Sequence, residues 1–195
     1  MRSKTILFLC GLFATTVLAH PHVFVDANIK VLFDEKGLSG VHNHWVYDEI
    51  YSKSIIASVD QDNDGKLSPQ ESENLKPKIF ADLVKANYFN YIQCGSNFLP
   101  AKGIRTFKAS VQNQRLVLDF TVSFSAAISN DYTLLVIVVA DPSNYVQVTA
   151  DMEKADVEAP GTIDVEYFSD SLEGLSLFRA FLSYVEGLYL RYKKK

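Results

Sequence analysis

The chain has 195 residues, with 19 Lys and Arg against 23 Asp and Glu and a formal net charge of −4. That balance argues against a nucleic-acid partner, which is held through basic surface. The length suits one domain with a sizeable core rather than two lobes that close on a ligand.

The first residues read as a signal peptide, 1–19. Arg2 and Lys4 precede an apolar run that ends at the small residue Ala19. The run is too short to span a bilayer comfortably. Cleavage there sends the protein to the periplasm or outside the cell, with His20 as the new first residue. Cys10 leaves with the leader and Cys94 stays alone, which excludes an intramolecular disulfide. Its simplest reading is a thiol in or beside a hairpin.

Residues 22–33 and 38–47 are β-rich and flank the turn signal Asp34-Glu35-Lys36-Gly37, so a hairpin is expected. All four histidines lie in its arms: His20, His22, His42 and His44. With Phe33 opposite Leu38, His42 faces Ile29 and His44 faces Ala27. His22 then lies on the other side, beside Glu49. One site for all four needs a bulge. Otherwise the candidate sets are His20 and His22 with Asp26, or His42 with His44, for zinc, nickel, cobalt or copper. Pro21 has no amide hydrogen, so a square-planar amino-terminal site is excluded. Solvent-exposed histidines at a polar strand end are the competing reading.

The stretch Asp60–Glu71, DQDNDGKLSPQE, resembles the loop of an EF-hand. Asp60, Asp62 and Asp64 take its first, third and fifth places, and Gly65 permits the turn. Lys66 offers its carbonyl, Ser68 a water, and Glu71 both carboxylate oxygens, the hard donors that calcium takes. Ser68 to Glu71 also reads as a capping box with Pro69 at the first helical position. An entering helix over 48–59 and an exiting helix from 69 make an inserted helix-loop-helix at 48–87. Pro77 is expected to break or restart the exiting helix.

Short strands follow at 88–93, 104–111, 115–124, 132–140, 145–149 and 162–168. Leu175, Phe178, Leu182, Val185, Tyr189 and Tyr192 recur at steps of three and four, the pattern of an amphipathic helix. The expected architecture is α+β. An antiparallel β-sandwich-like domain (20–170) carries the inserted EF-hand-like helix-loop-helix, and a C-terminal amphipathic helix covers 171–195. That helix is available to the core, a partner or a membrane surface. No Ser or Cys stands in a nucleophile motif, so no enzyme is expected.

Four segments carry a resemblance: His20-Pro21-His22-Val23-Phe24-Val25-Asp26, Trp45-Val46-Tyr47-Asp48-Glu49, the DxDxDG loop, and Ala140-Asp141-Pro142-Ser143-Asn144-Tyr145. Together they resemble the bacterial exported family catalogued as domain of unknown function one thousand and seven, over most of 20–150. Its members are often labelled ABC-type transport substrate-binding proteins and are encoded near nickel/cobalt-type or zinc-related transport genes. The resemblance implies His20, His22 and Asp26 as leading transition-metal ligands, with His42 and His44 behind them. It implies an exported metal-binding accessory of such a transporter, with calcium as a structural ion. The alternative is a calcium-stabilised binding module for a protein or envelope partner.

Overall fold

The computed structural model describes residues 22–195, so the leader and His20 lie outside the described residues. A long hairpin organises it, β1 (Val23–Asp34) and β2 (Gly37–Tyr47). Helix α1 (Glu49–Ala57) and helix α2 (Pro69–Leu83) follow. Then come β3 (Asn90–Cys94), β4 (Asn97–Phe98), β5 (Gly103–Gln112), β6 (Arg115–Ala127), β7 (Thr133–Val139) and β8 (Val146–Ala150). The short β9 (Asp156–Glu158), β10 (Ile163–Ser171) and β11 (Glu186–Lys194) complete the chain.

Two sheets form. The first has the order β5-β6-β2-β1-β8, with β9 also on β1; the second has the order β10-β11-β7-β3-β4. Their facing sides share one core, in which Phe33 of the first sheet packs on Tyr192 of the second at 4.9 Å. Trp45 is fully buried and meets Phe120 edge-on at 4.9 Å. The first sheet is mixed, because β1 runs parallel to both β8 and β9.

The expected α+β architecture is therefore corrected. The described chain is mostly β, two sheets with one main helix, α2. The stretch 48–87 is not a separable helix-loop-helix insertion: α1 has nine residues, and α2 is part of the central core. Leu75, Ile79 and Phe80 of α2 are buried there, with Phe80 against Phe107 and Phe120 at 5.3 and 5.2 Å. Two buried helix hydroxyls accept strand amides: Ser52 from Leu116 and Ser72 from Ala109, both at 2.8 Å.

Pro77 does not break α2. The carbonyl that loses its partner belongs to Glu73, four residues earlier, and both residues are exposed. Exposure leaves that carbonyl open to solvent, while burial of Leu75, Ile79 and Phe80 holds the helix on either side.

The C-terminal helix does not form either. Residues 186–194 are strand β11, a central strand of the second sheet, paired with β7 and β10. Leu188, Leu190 and Tyr192 point inward at alternate positions and are buried. Leu175, Phe178 and Val185 lie in the connection before it and pack on the outer face of the same sheet, around Val138 and Ala140. The spacing of three and four was thus the sum of a looped segment and an alternating strand. A membrane or partner contact through a C-terminal helix falls with it. Among the described residues, no helix is long and apolar enough to cross a membrane.

Because Tyr192 fills the space between the sheets, Tyr192→Ala should cost about 3–5 kcal/mol in urea unfolding. A loss below about 1 kcal/mol, the scale of a surface position, would contradict the placement of β11.

Candidate functional site

The register of the first hairpin decides what each histidine can reach. Phe33 does pair with Leu38, but the pairing then shifts so that Leu32 meets Gly40, Lys30 meets His42 and Asn28 meets His44. Ser39 is the extra residue, and its hydroxyl donates to the Leu32 carbonyl at 3.1 Å. The expected pairing of His42 with Ile29 and His44 with Ala27 is thereby corrected by one residue.

That shift puts His22, Asp26, His42 and His44 on one face, the outer face of the first sheet. It does not make them one site. His22 is six residues from Asn28 along β1, about 20 Å at the rise of a strand. Asp26 is held by Arg115 at 2.9 Å, and Arg115 also donates to the carbonyls of Tyr47 and Val46. The His22 ring instead lies tilted against Tyr145, ring centres 5.1 Å apart, and its amide donates to the Tyr145 carbonyl at 2.9 Å. His22 and Asp26 thus have different partners, and His20, the third member of the expected set, lies outside the described residues.

His42 and His44 have a different neighbour. Asp119 on β6 lies directly opposite His44. Its Oδ1 is 2.7 Å from His44 Nδ1 and 3.9 Å from His42 Nε2. His42 Nδ1 is 3.2 Å from the Thr121 hydroxyl, which accepts from Thr106 at 2.8 Å. Burial holds His42 below its ordinary basicity; the Asp119 charge opposes this, and the His44 and Lys30 charges add to it. Asp119 was missed in the sequence. Its only signal was one acid inside the apolar run Leu116–Phe120.

The acidic loop closes further. Asp60, Asp62 and Glu71 offer carboxylate oxygens that all lie within 4.8 Å of one another. Glu71 Oε1 accepts the Gln61 amide at 2.7 Å, and its Oε2 accepts the Ser68 amide and hydroxyl, each at 2.8 Å. The Gly65 amide donates to Asp60 Oδ2 at 3.0 Å, and the Lys66 amide to Asp64 Oδ1 at 2.7 Å. Asp60 Oδ1 is buried without a hydrogen-bond partner, an orphan acceptor that a cation would satisfy. The remaining expected donors, the Lys66 carbonyl and Ser68, stand in the same loop, Ser68 as the cap of α2. The residues present fit a hard divalent cation.

Three of the four segments on which the resemblance rests, all but the acidic loop, also meet in space. Phe24 and Asp48 exchange hydrogen bonds: the Phe24 amide donates to Asp48 Oδ2 and the Asp48 amide to the Phe24 carbonyl, both at 2.9 Å. Asp141 accepts the amides of Ser143, Tyr145 and Val146 at 2.8, 3.1 and 3.0 Å. Val23, Tyr47, Tyr51 and Tyr145 line a cleft of about 520 Å³ whose far wall is α2. Cys94, with Asn97 opposite it in the β3–β4 hairpin, is partly exposed and free.

This is a two-sheet β protein with an acidic loop joined to its core. The family described as Protein of unknown function (DUF1007) matches residues 5–168, and the chain belongs to it. A curated relative from Haemophilus influenzae (strain ATCC 51907 / DSM 11121 / KW20 / Rd), an uncharacterized protein, is 26% identical over 151 residues. The match covers 75% of this chain and 70% of that protein.

The amides of Gln61 and Ser68, then the Ser68 hydroxyl, hold the Glu71 carboxyl below the usual carboxylate range. A depressed folded pKa gives stability that is present above the unfolded value and lost as pH falls through the folded one. In chelator, wild type should therefore outlast Glu71→Gln in thermal unfolding at neutral pH, and the gap should shrink as pH falls below the ordinary glutamate range. A gap that stays constant with pH would contradict the ionised, hydrogen-bonded carboxylate.

Proposed function

We propose that the protein is a non-enzymatic, exported metal-binding accessory of a transition-metal transport system of the nickel/cobalt/zinc type, with a structural calcium ion in the loop 60–71. The observation that carries the metal-binding part is the convergence of Asp60, Asp62 and Glu71 around the buried, unpartnered Asp60 Oδ1. Calcium suits this loop because every donor is oxygen. Its role is structural because the loop ends in α2, whose apolar face is in the core. The transport setting and the export rest on the family resemblance and the leader.

The second reading, a calcium-stabilised binding module for a partner, is favoured by one observation. The outer face of the second sheet exposes Leu134 and Phe168, 66% and 60% accessible, with Phe168 stacked on Tyr189 at 5.2 Å. An apolar patch of this kind marks interaction surface.

Calcium at about one hundred times its dissociation constant should stabilise the fold by about 2.7 kcal/mol. That raises the melting temperature by about 5–10 °C. Asp60→Ala and Glu71→Ala should each abolish the rise. A wild-type melting temperature indifferent to calcium and chelator would overturn the calcium part. For the transport part, cells lacking the protein should differ from wild type in zinc, nickel or cobalt content, and unchanged levels of all three would contradict it.

A further inference from the structure

We infer that His42, His44 and Asp119 form a single exposed site for a borderline divalent transition-metal ion on the outer face of the first sheet. The inference rests on the accessory reading for its setting and names the site through which that reading works.

Three observations converge. First, the three side chains sit on the two inner strands β2 and β6, hydrogen-bonded on both edges, so their backbones are fixed by the sheet and not by a loop. Second, one carboxylate oxygen lies between two imidazoles, 2.7 Å from His44 Nδ1 and 3.9 Å from His42 Nε2. Two imidazole nitrogens, with Asp119 as the carboxylate that orients His44 and not as a third ligand, suit zinc, nickel, cobalt or copper(II), whereas calcium and magnesium prefer oxygen alone. Third, the neighbouring cation is countered by acids of its own. Lys30, opposite His42, points its ammonium at Asp156 and Glu158, 3.1 and 3.7 Å distant.

Hydrogen bonding prepares the imidazoles. The Nδ1–H of His44 donates to Asp119, which leaves its Nε2 lone pair free and raises its basicity. The Thr121 hydroxyl can accept the Nδ1–H of His42, leaving that Nε2 free as well. The donors do not yet meet at one point, and among the described residues only the acidic loop does so. Each histidine side chain is about one-third exposed, 37% for His42 and 36% for His44, so rotation about its side-chain bonds is open to it. Open positions and partial exposure suit an ion that is handed on, unlike the closed four-ligand shell of a structural site.

The test is calorimetry of the purified protein with zinc, nickel and cobalt chlorides, in excess calcium so that the acidic loop is saturated. One ion should bind per chain. The double substitution His42→Ala with His44→Ala should weaken binding at least about 100-fold, and Asp119→Asn about 10- to 100-fold. His22→Ala should bind as wild type does. Unchanged melting temperatures in calcium separate loss of ligands from loss of fold, and visible absorption of bound cobalt, lost in the double variant, gives a second readout. Binding that survives the double substitution, or that His22→Ala abolishes, overturns this site while leaving a transition-metal accessory standing. The absence of binding by any of the three metals overturns both.

Discussion

The architecture depends on the register of β1 against β2. In an antiparallel pair, residues directly opposite each other point to the same side. An unbroken ladder from Phe33 and Leu38 would set Ile29 beside His42 and Ala27 beside His44, forcing either histidines into the core or apolar residues out of it. The extra residue at Ser39 removes the conflict. Val25, Ala27, Ile29 and Val31 then share the inner side with Val41, Trp45 and Tyr47, and the histidines share the outer side with Asp119. The bulge also requires close approach on its other flank. A Cβ on Gly40 would lie 2.7 Å from the Val122 carbonyl oxygen, so glycine stands there for space.

The acidic loop is tied to the same core from the other direction. α2 begins at the Ser68 cap that closes the loop and carries Phe80 between Phe107 and Phe120. Asp48, at the opposite end of α1's approach, caps that helix and accepts from Phe24 of β1. A cation in the loop therefore acts on elements already fixed at both ends. The His42, His44 and Asp119 side chains lie on the other face of the same sheet, away from both helices.

Much of the β content was legible because alternation and turn chemistry are local: the β1–β2 hairpin, the β5–β6 pair and the apolar β7 all carry their signals within a few residues. The convergence of the acidic loop and its cap was legible for the same reason, since its acids, glycine and capping box fall within twelve consecutive positions. The failures share a different cause. β11 was read as helix because Tyr189 and Tyr192 continued a spacing begun by Leu175 and Phe178, residues that pack on the opposite face of the sheet. Pro77 was read as a break because exposure of Glu73 is a tertiary fact. Asp119 was invisible because its partner lies 75 residues away. The one-residue bulge, which decides the side on which His42 and His44 stand, leaves only Ser39-Gly40 as its trace.

The most direct measurement of the central claim, two cation sites of different chemistry on one β scaffold, is anomalous diffraction from crystals grown with calcium and soaked with zinc. The account predicts zinc-edge density beside His42, His44 and Asp119, and an ion without zinc-edge signal among Asp60, Asp62 and Glu71. Zinc density in the acidic loop or at His22, with none beside Asp119, would contradict it.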